Sequence, residues 1–592
     1  VKHNLTQMDL VSNAFAEWDI VGDLTLKSSI GVNVSDFNSE SFHPSYVSQN
    51  NNPSPIVPFG EEATTQLITW ISETTLNYPF TLGESNSFNL LLGNTVQKNQ
   101  FDALGVFANN YPNDLVETVN AGIVSDVQSE SSESSLLSYF GRINYAFADK
   151  YLLTALLRAD GASNFGAENR WGVFPSASAG WRISEEPFMQ SLEPISNLIL
   201  NGSFGLTGNN AIGNYGAIGL LGITNYVLGQ NNSVVNGLSP VSFSNPLLGW
   251  EKTREFNAGI ELGLWKNRVY FSAEYYHKIT TDLLLNVNVP TTTGFASALQ
   301  NIGKVRNSGY EFMLNTHNLT GSLKWSTDLN LTLLENEVLA LGPSGDPIIS
   351  RGGMPSSHIT MIGHPIGSYY GYVMEGVFMD QADVDANPQN RFGDARPGDS
   401  KFKDVNGDGE LTTDDRTVIG NAIPDLTYGI NNTFSYGNVS LTILIQGVYG
   451  AEIQDQKGWI SNLAANANQL QYTWDNRWQS PEEPGNGEVF RAQRDNSNRS
   501  KVLSSNDVHD ASYLRIRNIR LDYRFPQNFL GGRLHNTSAY LSVQNAYTFT
   551  SYHNFGYNPE ASLNGGSALT PGTDRGGYPL ARVFTLGLDV EF

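Results

Sequence analysis

Residues 404–415 (DVNGDGELTTDD) have the types and spacing of a loop that binds a hard cation. Asp404, Asn406 and Asp408 place carboxylate or amide oxygens at alternate positions. Gly409 then permits a sharp turn, Glu410 offers a main-chain carbonyl, Leu411 is apolar, and Thr412 and Asp415 supply further oxygens. Calcium takes about six to eight oxygens at adaptable distances, and this spacing wraps them around one point. Aspartate in place of the usual glutamate shortens the final ligand, so a modest affinity is expected. The competing reading is a solvated Asp/Asn/Gly turn. The EF-hand-like stretch 398–420 lies between a segment at 366–379 and a strand at 427–437. Bound Ca2+ there would clamp a long loop rather than drive catalysis.

Enzymatic chemistry finds little support. The 9 histidines include no HExxH pair, and neither a Gly-x-Ser-x-Gly elbow nor a phosphate-binding glycine loop occurs. A triad assembled only in space would escape such a reading; the expectation is a protein without enzymatic activity. Trp459, Trp474, Trp478, Tyr369, Tyr370 and Tyr372 lie in polar loops, where they would stack on sugars, pack against peptide side chains, or serve as girdle or loop-core residues. The sequence does not choose a ligand among these.

The elements that position these loops read as strands. At the end of the chain Phe584, Leu586, Leu588, Val590 and Phe592 alternate with Thr585, Gly587, Asp589 and Glu591. A period of two marks a strand with one apolar face, and a terminal aromatic is how many outer-membrane barrels finish. Phe256 to Leu264 and Val269 to Tyr275 repeat the alternation around a turn at Lys266 and Asn267. So do Leu137 to Phe147 and Tyr151 to Leu157 around Asp149 and Lys150, and 427–437 with 439–449 around Gly437 and Asn438. With 12–21, 24–35, 65–78, 86–99, 171–184, 196–207, 306–317, 321–334, 512–525 and 537–549, about sixteen strands are expected. Tight turns alternate with long loops, the asymmetry of an outer-membrane barrel. Turns at Asp149, Lys266 and Gly437 are therefore expected in the periplasm. Loops 36–62, 208–245, 335–365, 380–422 and 450–508 are expected outside the cell. Arg142, Arg158, Arg182 and Glu261 fall on the second face, costly in lipid but comfortable in a wet lumen.

Composition agrees. The 592 residues include 57 Gly, 26 Tyr and 30 Phe, with no stretch apolar enough for a helical span. The class is all-β, a transmembrane antiparallel β-barrel. Cysteine is absent, which removes disulfides and thiolate chemistry. A net charge of -23 argues against nucleic-acid binding, which needs clustered Lys and Arg.

Several motifs make the chain recognisable. They are 138–142 (SYFGR), 158–165 (RADGASNF), 174–176 (FPS), 205–209 (GLTGN), 245–253 (NPLLGWEKT), 301–309 (NIGKVRNSG), 404–420, 513–519 (YLRIRNI), Gln544 with Asn545, and 557–560 (YNPE). As an ordered set over nearly the whole of 1–592, they resemble the C-terminal part of SusC/RagA-like TonB-dependent outer-membrane transporters of Bacteroidota. The resemblance implies a barrel of about 22 strands, with the plug, the TonB-contacting segment and the first strands upstream of Val1. It also implies outer-membrane lipid as surroundings and a SusD-like surface lipoprotein as a lid. Two roles follow: active import of a glycan or oligopeptide, or a structural or assembly subunit of a larger outer-membrane complex without transport of its own. Phe592 and its alternating partners would be the assembly signal, pairing with a missing strand so that no edge is left open in lipid.

Overall fold

The computed structural model describes all residues except 49–51, 229–232, 296, 343, 391, 393–394, 458–467, 493–501, 527–534, 564–566 and 592. Seventeen strands among the described residues belong to the large antiparallel sheet, against the expected sixteen or so. No described helix is long and apolar enough to cross a membrane. The chain divides into two compact units, the first comprising Val1–Trp181, Ser203–Glu255 and Thr281–Asn301, the second Arg182–Gly202, Phe256–Thr280 and Ile302–Phe592.

The first unit contains an antiparallel run of Lys2–Val21, Leu24–His43, Phe59–Leu82, Asn86–Asn109, Ile123–Phe147, Tyr151–Ala162 and Trp171–Arg182, each paired with the next. Its tight turns use left-handed backbone, at Gly22, Gly83, Ala148 and Asp149, which matches the twist of the flanking strands. Near these turns the aromatic rings stack from strand to strand. Tyr78, Phe80, Phe88 and Tyr145 have successive centroids 5.3, 5.0 and 4.7 Å apart, and Phe147, Tyr151 and Trp181 continue at 6.1 and 6.3 Å. Higher on the same face, Tyr139 stacks on Trp171 at 6.3 Å. Between Trp171 and Trp181 the outward positions are Val173, Pro175, Ala177 and Ala179, all apolar. Ten residues at about 3.3 Å each, tilted by about 40°, rise about 25 Å, the height of the apolar band of an outer-membrane barrel between its aromatic girdles.

The opposite face is polar and internally bonded. Thr154 donates to Asn144 at 3.0 Å, and Arg158 reaches both Asp160, at 2.7 Å, and the buried Ser138, at 2.8 Å. Phe140 also points this way. A Cβ at Gly93 would stand 2.3 Å from its ring, so only glycine fits opposite it. Where wall meets loop, Ala162, Phe165, Phe174, Ala217, Leu248 and Trp250 form a buried cluster. Asn301 pairs with Gly249 through both its amide oxygen and its amide nitrogen, each at 2.8 Å. Phe165, Phe174, Leu248 and Trp250 of motifs 158–165, 174–176 and 245–253 thus pack together, with Asn301 bonded beside them, a structural role for these positions.

The second unit contains the run Lys304–Thr320, Leu323–Ala340, Leu426–Tyr436, Val439–Tyr449, Tyr513–Arg524, His535–Thr550 and Val583–Glu591. The stretches expected as long loops carry secondary structure of their own. Ile348–Gly352, Met354–Thr360, Ser368–Gly371 and Thr417–Gly420 form a four-stranded sheet. Glu452–Asp455 pairs with Val508–Asp510 and Thr573–Asp574. A short helix, Gln381–Ala386, is capped by Asp380.

Candidate functional site

The 404–415 loop is built from consecutive side-chain-to-backbone turns. Asp404 accepts the amides of Gly407 at 2.6 Å and Gly409 at 2.8 Å, Asn406 accepts that of Asp408 at 2.9 Å, and Asp408 accepts that of Glu410 at 2.9 Å. Gly407 and Gly409 hold φ of 74° and 86°, a conformation that side chains resist. These contacts leave Asp404, Asn406 and Asp408 side by side with spare oxygen lone pairs. Asp415 is buried and accepts the amides of Val405 at 2.8 Å and Thr412 at 2.7 Å, so it ties the start of the loop to its end. Burial pushes its carboxyl up, but the amides of Thr412, Val405 and Asn406, with the neighbouring Asp404 carboxyl, outweigh this and hold it below the usual range. Thr412 caps the turn at Thr413–Asp415, while Glu410 is exposed. Among the described residues no group of three or more acidic or histidine side chains converges closely enough to hold a metal. The oxygens of Asp404, Asn406, Asp408 and Asp415 are of the type a hard cation takes, and in this structure all four side chains accept backbone amides of the loop itself.

Arg416, missed in the sequence, fastens this loop to the sheet beneath. Its guanidinium donates to the carbonyls of Ser356 and, at 3.0 Å, Tyr370, and lies 4.2 Å from the Tyr370 ring centroid. Its partners are 46 and 60 residues away, so no local spacing announces the contact.

The loop aromatics divide. Tyr369 is fully buried, donating to the carbonyls of Glu452 and Gly572 at 2.9 Å each. Tyr372 packs on Phe392 and Phe402, and Trp478 donates to the Met379 carbonyl at 3.2 Å. These are loop-core residues. Trp474 is exposed, with the Arg477 guanidinium 3.6 Å from its ring centroid. Trp459 lies outside the described residues.

At the end of the chain Phe584, Leu586 and Leu588 are 69, 82 and 64 % exposed on one face of Val583–Glu591, which pairs with His535–Thr550. Val590 continues the strand; Phe592 lies outside the described residues.

Ladders of this length, with an outward apolar band between aromatic rows and a hydrogen-bonded polar face behind it, define the wall of an outer-membrane β-barrel. Residues 6–546 match the family model described as TonB dependent receptor-like, beta-barrel, and the chain belongs to that family of outer-membrane receptors and transporters. It is of the SusC/RagA type. TonB-dependent receptor P3 of Formosa agariphila is 32% identical over 98% of this chain and 58% of its own length. TonB-dependent receptor SusC of Bacteroides thetaiotaomicron is 30% identical over 78% of this chain and 44% of its own. The chain thus spans about half the length of the curated relatives it matches. Among solved structures, that of the RagAB peptide transporter shares the fold at a TM-score of 0.84 and 22% identity, covering 100% of this chain and 62% of that one.

Proposed function

We propose that this chain is the C-terminal wall and extracellular loop portion of an active nutrient importer for a glycan or oligopeptide. A ligand captured on the outer face passes inward when the TonB system, acting on a plug and TonB-contacting segment carried by the remainder of the protein, opens the lumen. A SusD-like lipoprotein closes over the long loops. The observation that carries this reading is the polar inner face of the wall behind an outward apolar band, a lining suited to a wet passage, in a chain with SusC among its relatives and with the fold of a peptide transporter. In cells of the source bacterium, deletion of the whole gene should abolish energy-dependent uptake of one class of oligosaccharide or peptide, as should loss of TonB. Unimpaired uptake, together with dissolution of a complex of other barrel proteins, would instead assign it a structural role. Phe584, Leu586, Leu588, Val590 and Phe592 serve in this reading as the assembly signal and closing strand.

Calcium is proposed as the structural cofactor of 404–415, held by Asp404, Asn406, Asp408, Asp415, the Glu410 carbonyl and Thr412 directly or through water. Asp404→Ala with Asp408→Ala removes two ligands and two charges. Amides across 398–420 should then lose hydrogen-exchange protection, as should those of the wild type in chelator, while the wall strands keep theirs. Equal protection of the loop with and without chelator means no structural calcium.

A further inference from the structure

A cavity of about 390 Å³ opens within the loop layer of the second unit. One wall is aromatic. The His509 ring stacks on Phe555 at 3.7 Å and 9°, and Tyr472, from the short helix Gln471–Asn476, meets the same Phe555 edge-on at 5.1 Å and 68°. Beneath them Val377, Val489 and Phe490 are buried together. The polar lining is acidic: Glu375, Asp455, Glu488 and Asp507 line the cavity, and no Lys or Arg does so among the described residues. Burial holds His509 neutral by lowering it to about 4, with Lys457 adding to the effect, so it brings no compensating charge.

The four carboxyl groups are not equivalent. Asp455 is paired with Lys457 at 2.9 Å. Asp507 accepts the Ser504 amide at 2.8 Å, and burial pushes it up to about 7. Glu375 and Glu488 remain. Both are exposed, and they flank the bond from the Val377 amide to the Gly487 carbonyl, at 3.0 Å. Their hydrogen-bond partners are neutral amides, Asn390 at 2.7 Å for Glu375 and Asn486 at 3.3 Å for Glu488. Two acceptor-only groups beside an aromatic wall suit a ligand that supplies positive charge and N–H donors while laying its stem against rings.

We propose that this cavity binds a protonated amine or guanidinium of the incoming nutrient, with Glu375 and Glu488 as its charge partners and Tyr472 and Phe555 as its platform. The assignment rests on the import reading above and narrows it to a cationic cargo, either a basic peptide or an amino sugar. The test is calorimetric titration of the full-length protein with an arginine-containing tripeptide, a glucosamine trimer and maltotriose as neutral probe. One cationic probe should bind at least ten-fold tighter than maltotriose; which one does so names the source. Glu375→Gln with Glu488→Gln should lose at least ten-fold for that probe, and Tyr472→Ala should weaken it with the carboxylates intact, both variants keeping heat-modifiable migration as folded barrels. Equal affinity for maltotriose, unchanged affinity in the double variant, or no binding of either cationic probe overturns the assignment. Energised uptake, measured separately in cells, keeps the two claims apart: uptake without cation preference leaves import standing, and cation binding without uptake leaves only the cavity.

Discussion

Ile143→Arg is expected to remove most of the folded protein from the outer membrane. Ile143 is exposed on the outward face, midway between Tyr139 and Phe147 of the two aromatic rows, and opposite Ala155 on the next strand. A guanidinium there has hydrocarbon on every side but the wall and lies too deep to reach either interface easily. At the midplane such a charge costs about 2–4 kcal/mol, a large part of the margin on which a folded domain depends. The native sequence supplies the control, because Arg142 sits one position away on the polar face. Asn144→Arg, also on that face, should cost only its bond with Thr154, about 1 kcal/mol. Heat-modifiable migration of membrane-extracted protein measures both. Equal amounts of folded barrel in the two variants would mean that the outward face has been misassigned.

Arg515→Met is expected to release the loop that follows His535–Thr550. Arg515 is 1 % exposed, donates to Thr548 at 2.9 Å and to the Glu560 carboxylate, and lies 4.7 Å from the Tyr513 ring centroid. Tyr513 donates to the same carboxylate at 2.6 Å. Motifs 513–519 and 557–560, far apart in the chain, therefore close on one ion pair. Removing the cation leaves Glu560 held by the phenol alone. Because Glu560 is partly wet, the expected loss is about 2–3 kcal/mol, below the ~3–5 of a wholly buried pair. Hydrogen exchange should show residues 551–563 unprotected while Tyr513–Arg524 stays protected. Arg515→Lys should recover only part, since an ammonium cannot reproduce the fork. A loop as protected in the methionine variant as in the wild type would show that the hydroxyl and amide contacts suffice.

The wall was legible because lipid imposes a period of two. Val439–Tyr449 is recovered to the residue, and Leu426–Tyr436 within one. Legibility stops where the lipid stops. Ile123–Phe147 was readable only from 137 onward, since 123–136 (IVSDVQSESSESSL) has water on its outer side and little alternation to detect. The small sheets in the loops were hidden for another reason. They depend on contacts such as His358 with the Pro571 carbonyl, 213 residues apart, and a periodicity reading cannot see a partner so distant. The 404–415 loop was readable because its oxygens are sequence neighbours. The aromatic and acidic groups around Glu375 and Glu488 come from six separate stretches, none with a motif of its own.

The length of the first unit's strands has one further effect. Phe59–Leu82, Asn86–Asn109 and Ile123–Phe147 have 24, 24 and 25 residues, where a tilted crossing takes about 9–11. Above Tyr139 another 16 residues continue upward, which at about 3.3 Å each and about 40° of tilt carries the rim about 40 Å beyond the lipid. Strands of this length separate two problems that a shorter wall would have to solve together. The lower part is matched to the bilayer, and the upper part stands in water. Thinning or thickening of the membrane by a few ångströms, as with growth temperature, would shift the depth of the lower part and leave the upper part in water.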